Sequence, residues 1–168
     1  MNLIPLALLA ASFATAASPK AAPAKPKAIS PSAAVTAALH SVELKKGLTL
    51  KLELMDNDSL RQKGLSGRRT LDWNQGMLFV FPNSAPRSFW MIDCHFDIDV
   101  AYINAAGVIR DIVPMRVQPG TPIDQLDRYP SSSADIMYAL ETNRGWFQAN
   151  GLKEGDTLRP LTRWKSLR

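Results

Sequence analysis

The chain has 168 residues, of which 46% are hydrophobic, and this length and composition fit one globular domain with an ample core. Its formal net charge of +5 is concentrated at the two ends. Seven of the 20 basic residues lie outside residues 41–158, and the remaining 13 face 15 acidic residues, a net of −2. The body is therefore mildly acidic, which argues against nucleic-acid binding. The basic ends are either simply solvated or weakly attracted to an anionic envelope surface.

The first residues have the pattern of an export signal. Residues 3–17 form an uncharged apolar run that is short for a bilayer span and ends in small residues. We expect residues 1–17 to be a signal peptide cleaved near Ala16 or Ala17, which gives a periplasmic or secreted protein without a remaining membrane span. Because the first two residues include no Lys or Arg, an uncleaved N-terminal membrane anchor is the alternative.

Three segments follow the signal. Residues 18–40 are rich in Pro, Ala and Lys and lack aromatic residues, which predicts a flexible spacer. Residues 41–161 form the single predicted domain. Residues 162–168 form a basic C-terminal arm.

The predicted domain begins with a strand and a short helix. Residues 48–54 alternate Leu with Thr, Lys and Glu, a period of two that predicts a strand with one buried face. Asp58 or Ser59 can cap a helical turn over residues 60–62, and Gly64 can end it.

Two further strands are predicted around Pro82. Residues 76–81 form a continuous apolar run that ends at Pro82, which is typical of a strand covered on both faces. Residues 82–86 are short enough for a hairpin-like turn into a strand over residues 87–91.

The clearest hairpin signal follows. Residues 98–103 and 108–113 read as strands, and the turn between them contains Asn and Gly, which tolerate the positive φ of tight turns. Pro114 breaks the second strand or places it at a sheet edge.

The last third of the domain combines a long loop with shorter elements. Residues 118–133 lack an apolar period, and long loops of this kind often carry function. A strand over 136–140, a helical turn over 143–149 and a closing strand over 157–161 complete the set. The predicted fold is mainly β (α+β), a compact sheet or barrel of about seven strands with two short helices.

Several separated motifs occur together in one order. They are Gly76 to Pro82, Arg87 to Met91, Asp99 before an apolar strand, Tyr129-Pro130-Ser131, Leu140-Glu141, Gly145-Trp146, Gly151 and Gly155-Asp156. This order resembles the domain of unknown function 192 family over residues 41–161, many of whose members are small exported prokaryotic proteins. The resemblance implies a compact β-rich domain and no established activity.

One loop departs from the pattern that the resemblance implies. Ile92-Asp93-Cys94 stands where a Lys-Asn-Thr-like triplet is common, and Phe96-Asp97-Ile98 replaces an aliphatic-Pro-Leu run. An amide and a proline are thus replaced by aspartates, so a role tied to Lys or Asn in this loop would not carry over.

The same loop contains candidate metal ligands. Asp93, His95, Asp97 and Asp99 occur at every second position, so an extended strand would place them on one face, where they could bind a divalent cation. A solvated loop without an ion is the alternative. No motif points to a cofactor.

Cys94 is the one cysteine of the chain, so no intramolecular disulfide can form. Its neighbour His95 raises the possibility of a nucleophile and its base. Adjacent strand residues point to opposite faces, however, so we expect a buried, inert thiol.

Six residues at family-like positions form the candidate ligand-binding set: Arg87, Trp90, Asp99, Tyr129, Ser131 and Glu141. Trp90 could stack on a sugar while Asp99 and Glu141 accept hydrogen bonds, in a cleft for a small polar ligand or an envelope component. Asp99 and Glu141 could instead be the paired carboxylates of a hydrolase. They could also simply bind backbone amides or pair with Arg87.

We therefore expect a noncatalytic small-ligand-binding or cell-envelope accessory module, with no assigned catalytic residue. A hydrolase that uses Asp99 and Glu141 is one alternative. A partner-binding scaffold, which would expose an apolar patch, is the other.

Overall fold

The structure is a computed structural model that describes residues 38–159. The elements are β1 (Leu39–Lys45), β2 (Leu48–Met55), α1 (Asp58–Lys63), β3 (Gln75–Ala85), β4 (Ser88–Phe89), β5 (Ile98–Asn104), β6 (Ile109–Met115), a 3-10 turn (Ile123–Gln125), β7 (Tyr129–Pro130), β8 (Ile136–Asn143) and α2 (Trp146–Ala149). The predicted signal peptide, nearly all of the predicted spacer and the C-terminal arm lie outside the described residues. No helix within residues 38–159 is long and apolar enough to cross a bilayer.

Six strands form one mixed sheet in the order β1-β2-β3-β8-β5-β6, and β4 pairs with β7 in a separate two-stranded sheet. β2 and β3 are parallel, and α1 with the loop after it connects them. Each other neighbouring pair in the large sheet is antiparallel. The mainly β prediction is confirmed, and the sheet stays open because β1 and β6 are its two edges.

Both faces of the sheet are covered, so the domain has two apolar cores. One core contains Trp146 and Phe147 of α2 and is called the α2 face. The other contains Leu65 and Leu71 from the segment after α1 and is called the α1 face. Because successive strand residues point to opposite faces, neighbouring positions of β3, β5 and β8 enter different cores.

Several predicted elements are confirmed. β2 spans the predicted Leu repeat, and β5 and β6 form the predicted hairpin. Its turn is closed by the Asn104 side chain, whose Oδ1 accepts hydrogen bonds from Ala106 N at 3.0 Å and Val108 N at 2.9 Å. β6 runs through Pro114 and is an edge strand, one of the two outcomes predicted for this proline.

Three local predictions are wrong. Asn57, rather than Asp58 or Ser59, caps α1 by accepting a hydrogen bond from Leu60 N. β3 continues past Pro82 to Ala85, because the pairing with β8 is interrupted between Val80 and Ala85 and the proline therefore needs no ladder hydrogen bond. No hairpin joins β3 to the next strand.

The predicted strand over 87–91 shrinks to β4, which pairs with β7. β7 lies inside the segment 118–133, which was predicted to be a long loop without regular structure. The predicted closing strand is reduced to an isolated bridge between Thr157 and Val108, and residues 160–161 lie outside the described residues. β1 was not predicted, and it begins at Leu39, within the range assigned to the spacer.

Candidate functional site

A cavity of about 620 Å³ opens on the α1 face of the sheet. Its walls come from α1, β3, β4 and the residues that follow β4, and one strand residue of β8 reaches it. The lining combines four aromatic rings, three cationic side chains and one carboxyl group: Phe79, Phe81, Phe89, Trp90, Arg61, Lys63, Arg87 and Glu141. We call this space the Glu141 cavity.

Glu141 is the unusual member of this set. It lies on β8 between Met77 of β3 and Val100 of β5, and only 4% of its surface is exposed. Its Oε2 atom is buried and has no hydrogen-bond partner. Burial raises the pKa of Glu141 to about 8, because a desolvated carboxylate is costly. The group is therefore mainly protonated at neutral pH and can donate a hydrogen bond.

The aromatic wall is a packed cluster. The Phe79 and Phe89 rings meet edge to face with centroids 4.8 Å apart. Trp90 is among the exposed large hydrophobic side chains, and the Arg128 guanidinium lies 3.5 Å from its ring centroid. Trp90 therefore lines the cavity and also contacts Arg128, which is not one of the lining residues.

Two arginines share the Phe81 ring at the cavity wall. The guanidinium carbon of Arg87 lies 4.0 Å from the ring centroid, and that of Arg61 lies 5.9 Å from it. Arg61 is held by Val80 O at 2.7 Å and by Asp58 at 2.6 Å. Arg87 donates to Asn83 at 2.9 Å, but its Nε atom is buried without a partner. Burial, followed by the charge of Arg61, lowers the pKa of Arg87.

Three of the six predicted ligand-binding residues converge on this cavity: Arg87, Trp90 and Glu141. Ser131 and Tyr129 are not among its lining residues. Ser131 Oγ accepts a hydrogen bond from Arg87 N at 3.1 Å and donates to Ser133 O at 2.8 Å. The Tyr129 carbonyl accepts a hydrogen bond from Tyr102, and the Tyr129 hydroxyl accepts one from Arg116 N at 3.2 Å. Tyr129 therefore fastens the long loop to β5, and Ser131 fastens it to the residue before β4.

Asp99 lies on the other face of the sheet. It pairs across strands with Thr142, whereas Glu141 pairs with Val100, and neighbouring positions of a strand face opposite ways. Asp99 Oδ1 accepts a hydrogen bond from Arg144 at 2.7 Å, and its Oδ2 accepts one from Gly145 N at 2.7 Å. The hypothesis of a paired carboxylate site at Asp99 and Glu141 is therefore wrong, because the sheet separates them.

The candidate metal ligands do not share a face. The segment turns at Asp93, which has a positive φ of 50°, instead of extending as a strand. His95 Nε2 lies 3.4 Å from Asp93 Oδ1, while Asp97 accepts a hydrogen bond from Val117 N at 2.9 Å. Asp99 lies on the other face, where it accepts a hydrogen bond from Arg144. Residues 38–159 contain no group of three or more His, Cys, Asp or Glu placed to hold a metal ion.

Cys94 lines the Glu141 cavity and is half-buried, less buried than expected. Burial, with smaller effects of the Glu141 and Asp93 charges, raises the pKa of Cys94 to about 11. A thiol with this pKa is almost entirely protonated at neutral pH, which supports the expectation that it is inert.

The sequence alone did not indicate that α1 contributes residues to the Glu141 cavity. Arg61 and Lys63 reach the cavity because the parallel pairing of β2 and β3 carries the connecting helix over β3. Nothing in the local sequence indicates that pairing. Phe79 and Phe81 were assigned to a strand covered on both faces, and their period of two was the available sign that they share one face with each other.

The comparisons with known proteins agree with this architecture. A crystal structure from Sinorhizobium meliloti 1021, provisionally described as a transcription regulator, is 31% identical with a TM-score of 0.58 over 66% of this chain and 81% of its own. A protein of unknown function from Novosphingobium aromaticivorans DSM 12444 is 21% identical with a TM-score of 0.62 over 79% of this chain and 91% of its own, and it supports the fold alone. No curated protein matches the chain. The family model DUF192, described as "Uncharacterized ACR", matches residues 40–160, and the chain therefore belongs to the DUF192 family.

Proposed function

We propose that the protein is a noncatalytic module that binds a small polar ligand in the Glu141 cavity. The observation that carries the proposal is the buried Oε2 atom of Glu141, which has no partner and belongs to a residue that lines an open cavity. Leaving a buried polar group unpaired costs about 1–3 kcal/mol. A ligand hydroxyl, carbonyl or carboxylate that met this group would recover that cost on binding.

The size and lining of the cavity support the same function. Its volume of about 620 Å³ falls in the range that small-molecule sites occupy. Phe81, Phe89 and Trp90 offer apolar and aromatic surface to the body of a ligand. A few polar groups among mostly apolar walls are the usual means of fixing a ligand's orientation.

The lack of a second carboxyl group and of a histidine among the residues that line the cavity supports a noncatalytic role. Among the residues that line the cavity, Glu141 is the one carboxyl group, and no histidine accompanies it. Cys94 carries a thiol whose pKa is raised to about 11, so it is a poor nucleophile at neutral pH. The lining residues therefore lack both the carboxyl pair that glycoside hydrolases use and the thiol–histidine pair of cysteine enzymes.

The proposed setting is the cell envelope, which rests on the predicted export signal alone. The description of the S. meliloti protein as a regulator does not transfer easily to this chain. Residues 41–158 hold 13 basic against 15 acidic residues, and a net of −2 does not favour contact with nucleic acid.

A ligand screen by thermal shift and titration calorimetry tests the proposal. The panel contains glucose, N-acetylglucosamine, glucuronate, lactate and the amino acids, each tested with wild type and with Glu141→Leu. We expect at least one compound to stabilise wild type and to lose that effect in Glu141→Leu. Asp99→Asn is the matched control, because it changes a buried carboxylate on the opposite face and should keep the ligand response. A panel without effect on wild type, or a response that persists in Glu141→Leu, would overturn the proposal.

A further inference from the structure

The charges around the Glu141 cavity are one-sided. Arg61, Lys63 and Arg87 are cationic, and Glu141 is the one acidic residue among the lining residues. Asp58 lies 2.6 Å from Arg61, but its side chain is 90% exposed and is not part of the lining. A neutral Glu141 leaves these cations with little opposing charge inside the cavity, so the cavity as a whole attracts anions.

Among the three cationic residues, the two arginines have the geometry best suited to binding a specific anion. Arg61 and Arg87 flank the same Phe81 ring, and the charge of Arg61 contributes to the lowered pKa of Arg87. The buried Nε atom of Arg87 has no acceptor. A guanidinium presents several N–H donors in one plane, a geometry that matches a carboxylate. An anion beside Arg87 would both reduce the repulsion between the arginines and supply the missing acceptor.

We infer that the ligand is a small organic acid, whose carboxylate is bound by Arg87 and Arg61 and whose cyclic body packs on the aromatic wall. This inference rests on the binding function proposed above and specifies the chemical class of the ligand. Phe89 and Trp90 provide the surface for an aromatic or sugar ring, and the buried Phe79 packs edge to face against Phe89.

The acid form of Glu141 completes the recognition. Its O–H group donates a hydrogen bond to a ligand oxygen, whereas an ionised Glu141 would repel an anion. Its surroundings favour the neutral form, because burial is the cause of the raised pKa of about 8. The affinity for an organic acid is therefore highest below that pKa and falls as the pH rises through it.

Other titratable groups share the α1 face with Glu141. The Cys94 thiol and the Tyr102 phenol have pKa values that are raised by burial and, to a smaller extent, by the charge of Glu141. Glu53 occupies the same cross-strand row and is paired with Arg68 at 2.5 Å and 2.6 Å. These three groups are protonated or paired at neutral pH, so none of them supplies a free anion that could compete with the ligand.

A cationic ligand is the chemical alternative. An amine would pair with an ionised Glu141, but it would also have to approach Arg61, Lys63 and Arg87. Its affinity would rise with pH through the Glu141 pKa, which is the opposite of the dependence expected for an acid. The sign of the pH dependence therefore separates the two ligand classes.

Two matched series of compounds test the inference with the unmodified protein. They are benzoate, benzamide and benzylamine, and glucuronate, glucose and glucosamine, titrated by calorimetry or by NMR at pH 6.5. We expect the acid of at least one series to bind about tenfold tighter than its neutral and amine counterparts, as one charge-assisted hydrogen bond provides. The same acid should lose about tenfold in affinity at pH 9, one pH unit above the Glu141 pKa.

The results distinguish this inference from the proposed function. A neutral or amine member that binds as tightly as the acid overturns the inference and leaves the binding function standing. An acid whose affinity is the same at pH 9 overturns the role assigned to Glu141. If no compound of either series or of the earlier panel binds, both the inference and the proposed function fail.

Substitutions locate the charge that selects the acid. Arg87→Gln should weaken the acid about tenfold and leave the neutral compound of the same series unchanged. Lys63→Gln, at the exposed end of α1, is a second variant whose folding is less at risk, and it should weaken the acid by a smaller factor. Lys153→Gln is the matched control, because this exposed lysine lines a separate groove beside Asp99. Equal losses in Arg87→Gln and Lys153→Gln would overturn the inference.

Discussion

Asp99 and Glu141 lie on adjacent strands, one register position apart, and point to opposite faces of the sheet. Asp99 is satisfied by Arg144 and by the Gly145 amide, both at 2.7 Å. Glu141 has a buried Oε2 atom without a partner and faces a cavity. Two carboxylates that look equivalent along the sequence therefore have different roles, one in fastening the start of α2 and one in a candidate binding site.

Replacing Glu141 by Gln should remove a pH dependence of stability. Burial raises the pKa of Glu141 from 4.5 to about 8, so the folded protein keeps a proton that the unfolded chain releases above its own pKa. Because the folded state binds more protons, this group makes wild-type stability fall as the pH rises from about 5 to 8, by about 1.4 kcal/mol per pH unit. The Gln variant lacks that slope and should gain on wild type through this range.

Urea unfolding at pH 5, 6.5 and 8 measures the difference between the two proteins. Glu154→Gln is the control, because it removes an exposed carboxylate and should keep the wild-type slope. Parallel pH profiles for wild type and Glu141→Gln would contradict the prediction.

Replacing Asp99 by Asn should lower the free energy of unfolding without affecting ligand binding. The substitution weakens the hydrogen bonds to Arg144 and Gly145 N, and losing the partners of a buried group costs about 1–3 kcal/mol. Arg144→Gln should cost less, because the arginine is more exposed and the Gly145 bond remains. Urea unfolding checks the order of the variants. An Asp99→Asn protein with unchanged stability and a lost ligand response would show that Asp99 belongs to the binding site.

The roles of Asp99 and Glu141 could not be separated from the sequence, because they depend on strand register. Alternation within β5 and β8 predicts that each strand has two faces, but not which face of one strand joins which face of the other. A shift of one residue would place Asp99 and Glu141 on the same face. The strands themselves were predictable because their Leu, Val and Ile patterns are local properties of the chain.

Some of the residues that line the cavity could be predicted from the sequence, and others could not because they depend on strand pairing. Arg87, Trp90 and Glu141 were recognised as candidates, and the structure brings them together. Arg61 and Lys63 were not, because α1 reaches the cavity only through the parallel pairing of β2 with β3, a contact between segments that are distant in sequence. The edge strand β1 was missed because it pairs on one side only and Leu44 is its one buried residue, so its apolar pattern is weak.

Cys94 should react slowly with alkylating reagents in the folded protein. Burial raises the pKa of its thiol from 9.0 to about 11, which reduces the reactive thiolate about 100-fold at neutral pH. Iodoacetamide labelling at pH 7.5, followed by mass spectrometry, should therefore be far slower in buffer than in 8 M urea, where the local environment is lost. Equal rates in the two conditions would show that the thiol is neither shielded nor perturbed in the folded state.

Gly107 should be less tolerant of alanine than Gly47, although both residues have positive φ values, of 84° and 80°. Each substitution costs about 1–2 kcal/mol for placing a side chain in the left-handed region. A Cβ atom at Gly107 would also approach Leu158 O to 2.7 Å, whereas one at Gly47 meets no atom within 4 Å. Relieving that clash moves the backbone of Leu158, whose side chain is fully buried on the α2 face. We therefore expect Gly107→Ala to lower the unfolding free energy by at least about 1 kcal/mol more than Gly47→Ala in urea titrations. Equal losses would contradict the prediction, because they would mean that the Leu158 backbone moves away from the new Cβ atom at no cost.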